Sequence, residues 1–326
     1  MSPRSSGTPR LSVITPLFNC LARTQAMLAS LRKSIPSRIS YEVILVDDGS
    51  TDGTRDWIAG LGEPFRVILN ERNLGFGAAT NRGATVARGP ILALLNNDLV
   101  LKRGWLSPML WALGLLGPRA GFVGNVQINA VTGEVDHSGI FVNEKGKPEH
   151  DRSLPHPLSV LFRPRRRRFA VTGACVLVRA ATWRRLRGFD ESYVNGCEDV
   201  DFCLRAREAG LVNVVALRSR VLHHVSSSPG RKRRDEENTW RLVRRWRDPL
   251  SVAVAEAYHR PEAWKPFWNH FRNLINEPEN LAEKAAAKRI ARFLIHLPER
   301  PPDVSLAPAN AAIDLELARW QEMFSH

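Results

Sequence analysis

Between residues 11 and 95 the chain alternates strand-like and helix-like segments four times, and each strand-like run ends in polar residues. Leu11–Leu17 (LSVITPL), 41–46 (YEVILV), Phe65–Leu69 (FRVIL) and 90–95 (PILALL) are short apolar runs of β-branched and aliphatic residues. Residues 21–35, with Leu21, Leu28, Leu31 and Ile35 at helical spacing, then 54–61 and the small, alanine-rich 76–88, supply helices between them. That alternation predicts a parallel sheet with helices on both faces. Strands that are apolar throughout fit a sheet covered on both sides. In such sheets the ligand binds outside the carboxyl ends of the strands. Here those ends carry Pro16-Leu17-Phe18-Asn19, Asp47-Asp48, the 70–75 segment and Asn96-Asn97-Asp98. Each is a plausible turn taken singly; together they bring polar and acidic groups to one edge.

The alternation weakens after residue 125. Residues 126–168 show glycine, proline and charge without a period and are expected to be irregular, with loops over the site. Residues 169–179 (FAVTGACVLVR) read as a strand with an interior glycine, 181–187 and 199–209 as helices, and 211–217 as a further strand. From about 230 the sequence becomes charged, Trp-rich and helical. The expected organisation is a flexible 1–9, a domain over 10–230 and a basic, Trp-containing helical extension over 231–326. Trp105 and Trp111 are expected in the core, and Trp240, Trp246, Trp264 and Trp268 suit either a packed cap or a membrane interface.

Composition narrows the function classes. Of the net charge of +14, residues 163–168 contribute five arginines and residues 231–247 a further +5 from eight basic and three acidic residues. Such clusters suit an anionic partner or a solvated face. The four cysteines (Cys20, Cys175, Cys197, Cys203) form no CxxC and no zinc-finger spacing, as expected of a reduced cytoplasmic protein. No apolar run spans a bilayer, so membrane contact is expected to be peripheral, at the inner face. There is no GxGxxG after the first strand, which argues against a dinucleotide dehydrogenase. A nucleotidyltransferase would want a Gly-rich basic loop near residues 15–23, which hold none. A basic protein binding nucleic acid or an anionic surface without catalysis explains the arginines but leaves the acidic strand ends unexplained.

Four stretches in order resemble the family 2 glycosyltransferases: SVITPLFNC with VILVDDGSTDGT; NLGFGAATNRG leading into LALLNNDLVL; TGACVLVR with GFDESYVNGCEDVDFCLRAREAG; and VLHHVSSS. The resemblance covers about residues 10–230, with a looser match at 235–247. It implies a GT-A fold and an inverting transfer of a sugar from a nucleotide-diphosphate sugar to a saccharide, glycolipid or other acceptor, in cell-wall or polysaccharide biosynthesis.

On that resemblance, Asp47 or Asp48 holds base and ribose, with the backbone around Thr15, Pro16 and Phe18 completing the cradle. Asn73, Gly75, Asn81 and Gly83 match a family pattern between the third and fourth strands; tight helix packing accounts for the glycines equally well. Asn96-Asn97-Asp98 stands where the family carries Asp-x-Asp. Asp98 is left as the carboxylate ligand of Mg²⁺ or Mn²⁺, with weaker metal binding expected. His223 or His224 resembles the second ligand, His223 aligning better. Thr172, Gly173 and Ala174 resemble the strand beside the donor sugar. Asp199 resembles the base that takes the acceptor proton, and Glu198 its orienting neighbour. The Asn-Asn-Asp variant leans toward rhamnosyl-type relatives and a dTDP-sugar. No nucleic-acid partner is expected.

Overall fold

The computed structural model describes residues 7–224, 234–259 and 305–325. Its elements in chain order are β1 (Leu11–Leu17), α1 (Leu21–Ser34), β2 (Tyr41–Asp47), α2 (Thr54–Ala59), β3 (Phe65–Leu69), α3 (Phe76–Thr85), β4 (Ile91–Leu95), β5 (Leu99–Leu101) and α4 (Leu106–Leu116). Then come β6 (Ala120–Asn129), β7 (Val135–His137), β8 (Ile140–Val142), β9 (Pro148–His150), α5 (Pro157–Phe162), β10 (Arg165–Arg167), β11 (Cys175–Arg179) and α6 (Ala180–Arg185). The last are α7 (Glu198–Glu208), β12 (Val212–His223), α8 (Asp235–Arg245), α9 (Arg247–Val254) and α10 (Ala307–Phe324). Ser226–Ser228, Trp264 and Trp268 lie outside the described residues.

The main sheet runs β10-β12-β6-β11-β4-β1-β2-β3. The β4-β1-β2-β3 half is parallel, as the alternation predicts, while β11 is antiparallel to both β4 and β6. Val13, Ile14, Val43, Ile44, Leu45, Val46, Leu94 and Leu95 are buried, which matches runs without polar alternation. α3 lies against β1 and β2 through its small residues. A Cβ at Gly83 would stand 2.6 Å from Ile14 and 3.0 Å from Val46, so that glycine is a packing residue.

Several expectations are corrected. Residues 126–168 are not irregular throughout: β6 starts at Ala120 and runs on through Val126–Asn129, sandwiched between β11 and β12. Its buried Asn125 and Gln127 break the apolar pattern from which a central strand is read. The strand expected over 169–179 begins only at Cys175, and the residues before it form a loop at the sheet edge. The strand expected over 211–217 continues to His223. The arginine run includes a short edge strand, β10, paired antiparallel to β12. Trp105 is buried, its Nε1 donating to Ser34 Oγ at 3.1 Å, whereas Trp111 is half exposed rather than core.

The described residues fall into two compact units, one within Met1–Phe141 and Pro148–Leu242, the other within Val142–Lys147 and Val243–His326. In the second, Trp246 and Trp320 are buried, and Glu316 accepts from Lys147 Nζ at 2.9 Å and Arg319 Nη2 at 2.7 Å. No helix among the described residues is long and apolar enough to cross a membrane.

Candidate active site

A cleft of about 700 Å³ opens at the carboxyl ends of the strands in the first unit. Of the residues expected from sequence, Pro16, Phe18, Asp48, Asn73, Asn96, Asn97, Asp98, Thr172, Gly173, Ala174, Glu198, Asp199 and His223 line it. Thr15, Asp47, Gly75 and Asn81 do not.

Three of the four that stay off the wall, Asp47, Asn81 and Gly75, have structural work of their own. Asp47 is fully buried and its Oδ2 accepts from Arg55 Nε at 3.0 Å and from the Ser50 amide at 3.2 Å. Thr15 lies buried in β1. Asn81 donates to the Phe189 carbonyl at 2.9 Å and to Glu191 Oε1 at 2.8 Å, and accepts from the Phe189 amide, which ties α3 to the turn before α7. Gly75 donates its amide to Asp48 Oδ2 at 2.8 Å. Asp48 also accepts from Asn70 Nδ2 at 2.7 Å and from the Leu74 amide at 2.9 Å. Its carboxylate therefore shapes the 70–75 loop that forms one wall.

Asp98 follows β4, and β5 then pairs with β12 so that His223 faces Leu99. This register carries His223 to the cleft, where its Nε2 lies 3.3 Å from Asp98 Oδ1; His224 instead gives its backbone amide to the Asp98 carbonyl at 3.0 Å. On its other side His223 Nδ1 lies 3.8 Å from Asp136 Oδ2. The His223 imidazole beside it holds the Asp136 carboxyl below the usual range against the opposing effect of burial. Arg152, on the cleft rim, stands 3.8 Å from Asp136.

Asp136, His150 and Arg152 all line the cleft and were missed from sequence, because β7 and β9 are too short to show a period. The one available signal was Asp136-His137-Ser138-Gly139, an acid beside a histidine just before a glycine. His137, fully buried behind the wall, has its proton affinity pushed well down by that burial.

A further part of the lining is the start of α7. Asn195 and Cys197 both hold left-handed backbones, with φ of 58° and 71°, an unusual pair of conformations for non-glycine residues that concentrates at functional sites. They place Glu198 and Asp199 in the first helical turn. Glu198 Oε2 accepts from the Gly196 amide at 2.7 Å. Asp199 Oδ2 accepts from the Gly173 amide at 2.7 Å and Oδ1 from the Val200 amide at 2.8 Å. Asn97 is tethered to Thr24 Oγ1 at 3.1 Å, and the Asn96 amide donates to the Ala174 carbonyl at 2.9 Å. The Asn96 side-chain oxygen is buried and unpartnered.

A carboxylate and an imidazole side by side suit Mg²⁺ or Mn²⁺, with the remaining positions left to a ligand's oxygens. Among the described residues no group of three or more His, Cys, Asp or Glu forms a complete metal cage.

A mixed sheet with its acidic cleft at the strand ends is the architecture of a GT-A glycosyltransferase. The model of "Glycosyl transferase family 2" matches residues 12–184, and the chain belongs to that family. An uncharacterized protein, y4gI, of Sinorhizobium fredii is 31% identical over 260 residues. O-antigen biosynthesis protein RfbC of Myxococcus xanthus is 29% identical over 270. These alignments cover 74% and 78% of this chain but only 28% and 20% of those longer relatives. An N-acetylglucosaminyl-diphospho-decaprenol L-rhamnosyltransferase of Mycobacterium tuberculosis is 28% identical over 69% of this chain and 79% of its own. Among solved structures, GalNAc-T7 with UDP, GalNAc and Mn²⁺ superposes with a TM-score of 0.61 at 19% identity, over 79% of this chain and 52% of that one. A mannosyltransferase of Pyrobaculum calidifontis with GDP-Man and Mn²⁺ gives 0.55 at 16%, over 96% and 88%.

Proposed function

We propose that this chain moves a sugar from a nucleotide-diphosphate sugar to a hydroxyl of a saccharide, glycolipid or other acceptor by one direct displacement with inversion. The observation that carries this reading is the convergence of Asp98, Thr172–Ala174, Asp199 and His223, from four separate segments, on one cleft. Its volume suits a ligand of nucleotide-sugar size.

Pro16, Phe18, Asp48 and Asn73 form the wall assigned to the nucleoside, and Thr172–Ala174 the wall assigned to the sugar. Asp199 is the base. Two backbone amides fix its orientation, and each oxygen keeps a lone pair for the acceptor hydroxyl. Glu198 holds the Gly196 backbone and so the entry to α7. Asp98 and His223 would hold Mg²⁺ or Mn²⁺, which when bound neutralises charge on the diphosphate leaving group. The two solved neighbours contain Mn²⁺, which supports that choice of metal. The catalytic region is assigned to the first compact unit.

The test is a panel of nucleotide sugars, with dTDP-rhamnose included because a relative's name carries that sugar. Release of nucleoside diphosphate is measured with and without Mn²⁺. Turnover of one donor supports the reading. No turnover with any donor, together with tight, salt-sensitive DNA binding, contradicts it.

A further inference from the structure

We propose that α5 and the arginines that follow it are a docking face for an anionic membrane surface. Leu158, Leu161 and Phe162 are 61%, 59% and 85% exposed. At spacings of three and four residues they share one side of the helix. α5 therefore turns its apolar side to solvent, the reverse of an ordinary surface helix. The patch is continuous with cations: Arg163 and Arg167 are exposed, and exposed Arg218 donates to the Leu161 carbonyl at 2.9 Å, tying the end of α5 to β12. No acidic residue occurs between Arg152 and Arg168. Arg166 and Arg168 are not part of the face, since both turn to Asp151 Oδ2, at 3.9 and 2.6 Å.

Apolar side chains ringed by arginine match a bilayer interface. Leucine and phenylalanine enter the headgroup–acyl boundary while guanidinium groups meet lipid phosphates. A nucleic acid would use the arginines and leave the apolar triad without a role. A second copy would bring two arginine strips of a +14 chain together, which like-charge repulsion opposes. β10 is hydrogen-bonded to β12 in the main sheet, so the arginine-bearing segment is a fixed edge of the fold. Arg152 on the cleft rim stands five residues before Pro157, at most about 17 Å of extended chain, so a docked face keeps the cleft near the bilayer.

The test is sedimentation of the full chain with vesicles of phosphatidylcholine alone or with about a third phosphatidylglycerol, a composition that supplies the negative surface potential. Wild type is expected to partition onto the anionic vesicles and to be released by salt. Arg163→Gln/Arg167→Gln is expected to lower partitioning roughly 25-fold, at about fivefold per cation removed. Leu161→Ser/Phe162→Ser is expected to lower it at least about tenfold. Both should leave melting temperature and nucleoside-diphosphate affinity unchanged. Variants that sediment like wild type, or equal partitioning onto neutral vesicles, overturn the proposal. So does a concentration-dependent dimer abolished by Leu161→Ser/Phe162→Ser without any vesicle binding. Binding to single-stranded RNA that only the arginine variant weakens, with no vesicle binding, also overturns it.

Discussion

Gly173 gives its backbone amide to Asp199 Oδ2 at 2.7 Å from a position where a side chain has little room. A Cβ there would stand 3.4 Å from the Asp199 Cβ and 3.3 Å from the Phe76 ring. The loop before β11 and the first turn of α7 therefore set one another's position, and with it the direction of the Asp199 carboxylate. In Gly173→Ala the aspartate or the ring must shift by a few tenths of an ångström. Transfer is expected to slow on the order of 100-fold, as for small misplacements of a reacting group, with nucleotide affinity and melting temperature nearly unchanged. Unchanged kcat would show that the Asp199 orientation does not matter.

Asp48 is a stability residue as well as a wall of the cleft. Asp48→Asn replaces one acceptor oxygen by an amide facing the Leu74 and Gly75 amides, which can only donate. The loss of hydrogen bonds to a buried charged group is expected to lower unfolding free energy by about 2 kcal/mol, and nucleotide affinity should fall with it. Urea denaturation alongside nucleoside-diphosphate titration reads both. A variant as stable as wild type would remove Asp48 from its role in the 70–75 loop.

Asp136 faces His223 on the side away from Asp98. A carboxylate behind a metal-binding imidazole fixes the ring's tautomer and tilt. Asp136→Asn is expected to weaken Mn²⁺ binding in the presence of nucleoside diphosphate by about 10- to 100-fold, read by electron paramagnetic resonance, with little change in melting temperature. Equal Mn²⁺ affinity would leave Asp136 without that function.

His137 gives the protein an acid-sensitive element. In the unfolded chain this histidine takes up a proton near 6.5, whereas burial in the folded protein opposes uptake until far lower pH. The unfolded state then binds more protons below 6.5, so stability falls as pH falls through that value. The excess slope is up to about 1.4 kcal/mol per pH unit. Unfolding free energies of wild type and His137→Gln between about pH 6.5 and 5, the range below the free imidazole pKa, should show the steeper loss in wild type. Coincident slopes would contradict the assignment.

How much the sequence disclosed depended on whether burial left a pattern. β1 to β4 are apolar on both faces and were legible almost to the residue. β6 was not, because Asn125 and Gln127 sit fully buried in mid-sheet and imitate a loop. The FAVTGA stretch looked like a strand because apolar content does not reveal that Thr172 and Gly173 must turn to meet Asp199. The end of β12 was obscured by Arg218 and Arg220, exposed residues alternating with buried Ser219 and Val221. Positions at strand ends were the legible part of the cleft. Asp47 against Asp48 was not, since adjacent residues of a strand point to opposite sides and only the packing of Arg55 shows which is inside. Asp136, His150 and Arg152 come from strands of three residues or their flanks, too short for any period.

The most direct test of the whole account is Asp199→Asn, assayed side by side for nucleotide-sugar binding and for transfer. The amide oxygen can still accept from Gly173, so the loop before β11 stays tied to α7, at the cost of the local contact with the Val200 amide, while the proposed base is removed. Donor affinity is expected within a few-fold of wild type and transfer lower by about 10²- to 10⁴-fold. Normal turnover by Asp199→Asn would contradict the account.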